Sequence, residues 1–164
     1  MLGGALTLVL VPVAGLVRPA PAEPARALVG LSTLGVDVER DPSQESLSVE
    51  RLARRIHARL SEGAPALTLD PVGRDRLRLT VAVRPYGATT LRGFWLPFSG
   101  TYGLGPVRLS LERMATIASI PEPVRANVWH AERQAAGPWR DSPAEILKLL
   151  DETLAEFLEA YRRR

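Results

Sequence analysis

The sequence predicts an α+β fold: a two-layer sandwich with an antiparallel or mixed sheet of about five strands and two amphipathic helices on one face. Three observations predict it. Arg76 to Arg84, RLRLTVAVR, alternates Leu77, Leu79, Val81 and Val83 with polar or small residues. That is the pattern of a strand with one buried and one wet face. Val49, Leu52, Ala53, Ile56 and Leu60 recur at helical spacing, and Ile146, Leu150, Thr153, Phe157 and Tyr161 do so again near the end. Helices with one apolar stripe each bury those stripes most simply against one side of a sheet.

Each element has its own local signal. Ala27 to Glu39, ALVGLSTLGVDVE, reads as one long strand with a bulge where the alternation changes phase at Ser32 and Thr33. Pro42 lies in a polar loop, Asp41 to Ser46. Ser48 is the expected N-cap of the first helix, with Leu47 and Leu52 as a hydrophobic staple. Gly63 and Pro65 end that helix. Leu67 and Leu69 give a short strand, followed by turn chemistry from Asp70 to Asp75. This first strand–helix–strand unit suits a parallel pair.

Thr89 to Phe98 reads as another strand, and Ser99 to Pro106, with three glycines, as a mobile connection. Val107, Leu109 and Leu111 alternate in the next strand. In the last strand Val124, Ala126, Val128 and His130 alternate with Arg125, Asn127, Trp129 and Ala131, and Gln134 to Arg140 reads as a loop. Ser142 is placed to cap the final helix, with Pro143 in its first turn and Glu145 completing a capping box. Arg162, Arg163 and Arg164 fall where the helix dipole favours cations.

Composition narrows the function. The chain has 164 residues, the size of one domain. It has no Cys, so disulfides, thiolate metal sites and cysteine nucleophiles are excluded. Of its 21 basic residues only Lys148 is not Arg, and the 18 acidic residues are interspersed with them. Arg, Ala, Gly and Pro are the residues a GC-rich coding sequence favours. No concentrated basic stripe of the nucleic-acid-binding kind is present, so no nucleic-acid partner is expected.

Met1 to Val17 contains no charged residue, and Arg18-Pro19-Ala20-Pro21-Ala22 follows. An apolar core and small residues at Ala20 and Ala22 read as a secretory signal over residues 1–22, cut before Glu23. The run is shorter and richer in Gly and Pro than a spanning helix. An uncut segment would leave the domain tethered to the membrane. The expected location is the periplasm.

The search for chemistry returns no catalytic constellation. Ser99, His130 and Asp141 supply the residue types of a triad, but a triad is defined by geometry and any sequence offers such a set. His57 and His130 have no partner at zinc-binding spacing, so no metal is expected, and His57 reads as a half-buried structural residue. Gly100, Gly103 and Gly105 lack the spacing of a phosphate loop, and no cofactor is expected. Asp37 and Glu39 share one strand face, beside arginines that suit salt bridging. A hydrolase reading would need a pocket joining His130, Glu132 and Asp37.

The strongest candidate for partner binding is Arg92 to Pro106, where Phe94, Trp95, Phe98 and Tyr102 are four of nine aromatic residues in the chain. Aromatics among glycines suit contact with a protein or a membrane surface. Arg51, Arg54, Arg55 and Arg59 form a basic helix face suited to an acidic partner or anionic lipid.

An export signal, the helix SVERLARRIHARL, alternating strands, the Trp-bearing VRANVWHAER and a final amphipathic helix resemble the layout of small bacterial envelope proteins. Those are the amino-terminal domain of TolB, the curli-secretion lipoproteins and the penicillin-binding-protein activator lipoproteins. The resemblance is topological and covers Leu28 to Tyr161; this chain lacks the lipobox cysteine. It implies a non-catalytic binding or assembly role in the envelope. The alternatives are a small-ligand or lipid carrier, with a cavity lined by Leu79, Val81, Leu109 and Phe157, and a hydrolase near His130. An open sheet edge is a second expected contact surface.

Overall fold

The computed structural model describes residues 26–87, 101–116 and 122–164. Its strands are β1 (Thr33–Arg40), β2 (Thr68–Leu69), β3 (Arg76–Val81), β4 (Arg84–Gly87), β5 (Thr101–Ala115) and β6 (Val124–Pro138). Its helices are α1 (Val49–Gly63) and α2 (Ser142–Arg162). The fold is α+β, with one mixed sheet of six strands. β1 runs parallel to β2 and β3; β3, β4 and β6 run antiparallel to β5. β3 and β4 follow one another along one side of β5, and β6 takes the other side.

Alternation in β3 assigns the faces. Leu77, Leu79 and Val81 are 0–1% exposed and Arg76, Arg78 and Thr80 are half-buried. Leu109 and Leu111 of β5 stand opposite Leu79 and Leu77 and continue the inner face. Burying each such leucine contributes about 2 kcal/mol. α2 covers β5 and β6, α1 covers β1, and the helices touch each other. Phe157 of α2 is fully buried, edge-to-face with Trp129 of β6 at 5.2 Å between ring centroids.

The Ser48 hydroxyl accepts the Arg51 N–H at 3.1 Å, so the first helix is capped as its sequence predicts. Leu47, Leu52, Ile56 and Leu60 are buried, while Val49 at the first turn stands out in solvent. Ser142 differs from expectation. It is the first residue of α2, and no side-chain cap bond forms there; Asp141 holds the N-cap position.

Five further expectations are corrected. Arg26–Leu28 is a 3₁₀ helix, and β1 begins only at Thr33. Leu28 and Leu31 are buried and Val29 is exposed, a spacing of three instead of two, turned by Gly30 at φ 75°. Arg113 Nη1 donates to the Ala27 and Val29 carbonyls at 3.0 and 2.9 Å, and Arg164 Nη1 donates to those of Leu28 and Leu31. The stretch is thus a strap over the end of the core.

The strand from Arg76 breaks after Val81 and resumes at Arg84. The β1–α1 loop holds this kink: Gln44 Nε2 donates to the Val83 carbonyl at 3.2 Å, and Arg84 Nε pairs with Asp41 at 2.6 Å. The expected strand at 89–98 lies outside the described residues. Residues 101–106, expected as a mobile connection, belong to β5, and 134–138, expected as a loop, belong to β6. A bulge at Val128 also changes the phase of β6: Asn127 pairs with Glu112, whereas Trp129 pairs with Leu111. Asn127 and Trp129 therefore do not share a face, as strict alternation had put them.

Candidate functional site

The outer face of the sheet is a field of ion pairs. Arg76 holds Asp37 through Nε, 2.9 Å from Oδ2, and through Nη2. Glu112 lies between Arg78 at 3.3 Å and Arg125 at 3.8 Å. Arg108 Nε donates to Glu132 at 2.6 Å, and Gln134 donates to the same carboxylate. The hydrogen bonds from Arg76 hold the Asp37 carboxyl below its ordinary range. The salt-bridging expected of Asp37 is present; Glu39 is exposed.

One end of this face is different. Beyond the kink, β4 and the start of β5 form a hairpin in which Tyr86 stands opposite Tyr102 and Gly87 opposite Thr101. Tyr102 and Leu104 share the outer face with Ala136 and Pro138 of β6, their register partners being Pro138 and Ala136. Leu104 is 41% exposed, Ala136 and Pro138 are exposed, and both tyrosines are half-buried. One neighbouring residue shapes this end. Gly105 has a φ of 150°, and a Cβ there would stand 2.2 Å from the Ala82 carbonyl oxygen. That close approach brings the β3–β4 kink against β5.

Of the four aromatics expected to bind a partner, Tyr102 is therefore on β5 at the hairpin end. Phe94, Trp95 and Phe98 lie outside the described residues, between Gly87 and Thr101. Leu104, Ala136, Pro138 and Tyr86 extend the candidate surface beyond the sequence reading. Tyr86 was the readable signal, since it follows Pro85 directly after the clear alternation of β3. Ala136 and Pro138 carried none, being small residues in an apparent loop.

The four arginines of the expected basic face are all exposed and make different contacts. Arg55 turns to α2 and grips Asp151 with Nε at 2.9 Å and Nη2 at 2.5 Å. Arg54 Nε bonds the Glu50 carbonyl at 3.4 Å, Arg59 lies 3.9 Å from Glu62, and Arg51 is exposed.

The structure does not bring Asp37 to His130 and Glu132. β3 and β5 stand between β1 and β6, a separation of about 14 Å at the usual strand spacing. His57 and His130 are both exposed, so His57 is not half-buried as expected. Ser99 lies outside the described residues, and Asp141 is exposed at the start of α2. Leu79, Val81, Leu109 and Phe157 are buried members of the hydrophobic core. A cleft of about 300 Å³ lies elsewhere, between Gly103, Ala135, Gly137, Pro138, Ser142 and Lys148. Among the described residues no group of three His, Cys, Asp or Glu could hold a metal, and no helix is long and apolar enough to cross a membrane.

No protein-family model and no curated protein matches the chain. Among solved structures, a minor lipoprotein from Acinetobacter baumannii is similar with a TM-score of 0.38 and 9% identity, over 81% of this chain and 93% of that one. At that score the likeness assigns no role to any residue.

Proposed function

We propose that the protein is an exported, non-catalytic binding module that contacts another envelope protein through the end of its β4–β5 hairpin. The observation that carries this reading is the change in character along one sheet face. From Asp37 to Glu132 the carboxylates of this face other than Glu39 are paired with arginines, a surface that water solvates well. At Tyr86, Tyr102, Leu104, Ala136 and Pro138 it is apolar and partly exposed, with the exposed Arg84, opposite Leu104, at its rim. The covalently adjacent stretch 88–100 contains Phe94, Trp95 and Phe98. Aromatic anchors within a polar rim are the usual composition of a protein-binding surface. Export rests on the uncharged run Met1 to Val17 and the small residues at Ala20 and Ala22.

The test is capture of a partner by the full chain from detergent-solubilised envelope, with Trp95→Ala/Phe98→Ala and Leu104→Asp as controls. The expected result is a stoichiometric partner retained by the wild type and lost by both variants, whose melting temperatures stay near that of the wild type. Retention of the same partner by both variants contradicts the reading, as does binding to protein-free vesicles alone.

A further inference from the structure

We propose that the open edge of β1, at Val36 and Val38, receives an extended segment of the partner protein in which basic and apolar side chains alternate. This rests on the reading that the protein binds another protein, and it supplies a second contact.

The hydrogen bonds of β1 show which side is open. The Ser32 and Leu34 carbonyls accept from Thr68 and Asp70 at 2.8 and 3.0 Å, so even-numbered residues face β2. Gly35 and Asp41 donate to the Asp75 and Val81 carbonyls at 2.9 and 2.8 Å, so odd-numbered residues face β3. The β2 ladder stops at Leu69 for a local reason. Pro71 has no N–H, and the Val72 N–H is taken by Asp70 Oδ1 at 2.9 Å. Among the described residues nothing then reaches the outward N–H and C=O of Val36 and Val38. Such an edge accepts a strand through its main chain and selects it by alternate side chains.

Charge defines the occupant. Asp37 and Glu39 point to the outer face, Val36 and Val38 to the inner one. Antiparallel pairing with a second copy, centred on residues 37 to 39, sets Asp37 or Glu39 opposite another acidic residue, which opposes self-association. A basic strand meets the opposite situation. β3 already shows a strand that β1 accepts: Arg76 binds Asp37, while Leu77 and Leu79 lie beside Val36 and Val38 on the inner face. No cation among the described residues pairs with Glu39, which leaves it for the incoming strand.

The probe is a capped, fluorescein-labelled peptide of β3 sequence, Arg-Leu-Arg-Leu-Thr-Val, added to the full chain in dodecyl maltoside. Saturable binding is expected, with slowed hydrogen exchange over residues 33–40. Glu39→Lys, a surface change, is expected to weaken binding about tenfold. Val38→Pro removes the outward N–H and leaves the β3 ladder, which uses odd-numbered residues, so it is expected to abolish binding. A peptide with Glu in place of Arg is expected not to bind. Unsaturable binding, equal binding by Glu39→Lys, or protection confined to the hairpin overturns the inference. Envelope capture separates the two readings. A partner lost with Trp95→Ala/Phe98→Ala but fully retained by Glu39→Lys overturns the edge and keeps the hairpin. The reverse keeps the edge and overturns the hairpin.

Discussion

Tyr86 on β4 stands directly opposite Tyr102 on β5, and both are half-buried on the outer face of the sheet. A cross-strand aromatic pair of this kind contributes up to about 1 kcal/mol over Ala–Ala. With the burial of the half-buried ring added, Tyr102→Ala is expected to lower stability by about 1–2 kcal/mol while weakening partner capture strongly. Chemical denaturation and capture on the same preparation check both halves. A large stability loss with capture intact would make the pair structural.

Gly105 is expected to tolerate no side chain. At φ 150°, with the Ala82 carbonyl oxygen 2.2 Å from where a Cβ would stand, Gly105→Ala must strain the backbone and separate β5 from the kink. The expected cost is about 2–4 kcal/mol. Thermal melting measures it, and a change within error of zero would show that the kink moves freely.

Phe157 carries the packing of α2 on the sheet. It is fully buried against Trp129 and stacks on Tyr161 at 6.4 Å. Phe157→Ala is expected to cost about 3–5 kcal/mol. The emission of Trp129, 5% exposed in the wild type, should shift to the red. Equilibrium unfolding followed by tryptophan fluorescence reads both effects.

Asp37 gives a pH dependence with a definite sign. Hydrogen bonds from Arg76 hold its carboxyl below the ordinary 3.8. A depressed folded-state pKa contributes stability above the unfolded value and loses it as pH falls through the folded one. The wild type should thus be more stable than Asp37→Asn at pH 7, and the gap should shrink below about pH 4. Asp41, lowered by its bonds from Ser43 and by Arg84, adds a loss of the same sign. Urea titrations at pH 7 and pH 3 decide it; a gap that is constant with pH contradicts the assignment.

The sequence carried the elements whose burial is one-sided. β3 was legible because Leu77, Leu79 and Val81 alternate with arginines, and α2 because its buried residues keep helical spacing over five turns. The Ser48 cap was legible because its bond is local. What failed depends on distant partners. Residues 135–138 are small and weak strand formers, and they are strand only because β5 pairs with them along its length. Gly103 and Gly105 suggested a loop, yet Gly105 serves a close approach to Ala82 that no local signal announces. The Val128 bulge is likewise a matter of pairing. The candidate surface was legible in part: Tyr102 through its aromatic neighbours, Leu104 and Pro138 not at all.

The central claim is that the hairpin end meets another envelope protein. The chain has no cysteine, so a single one can be placed at will. A photoactivatable benzophenone maleimide on Leu104→Cys should cross-link one defined partner in intact envelopes, while the same probe on His57→Cys, on the far helix, should not. Cross-linking of that partner equally from both positions, or from His57→Cys alone, would contradict the account.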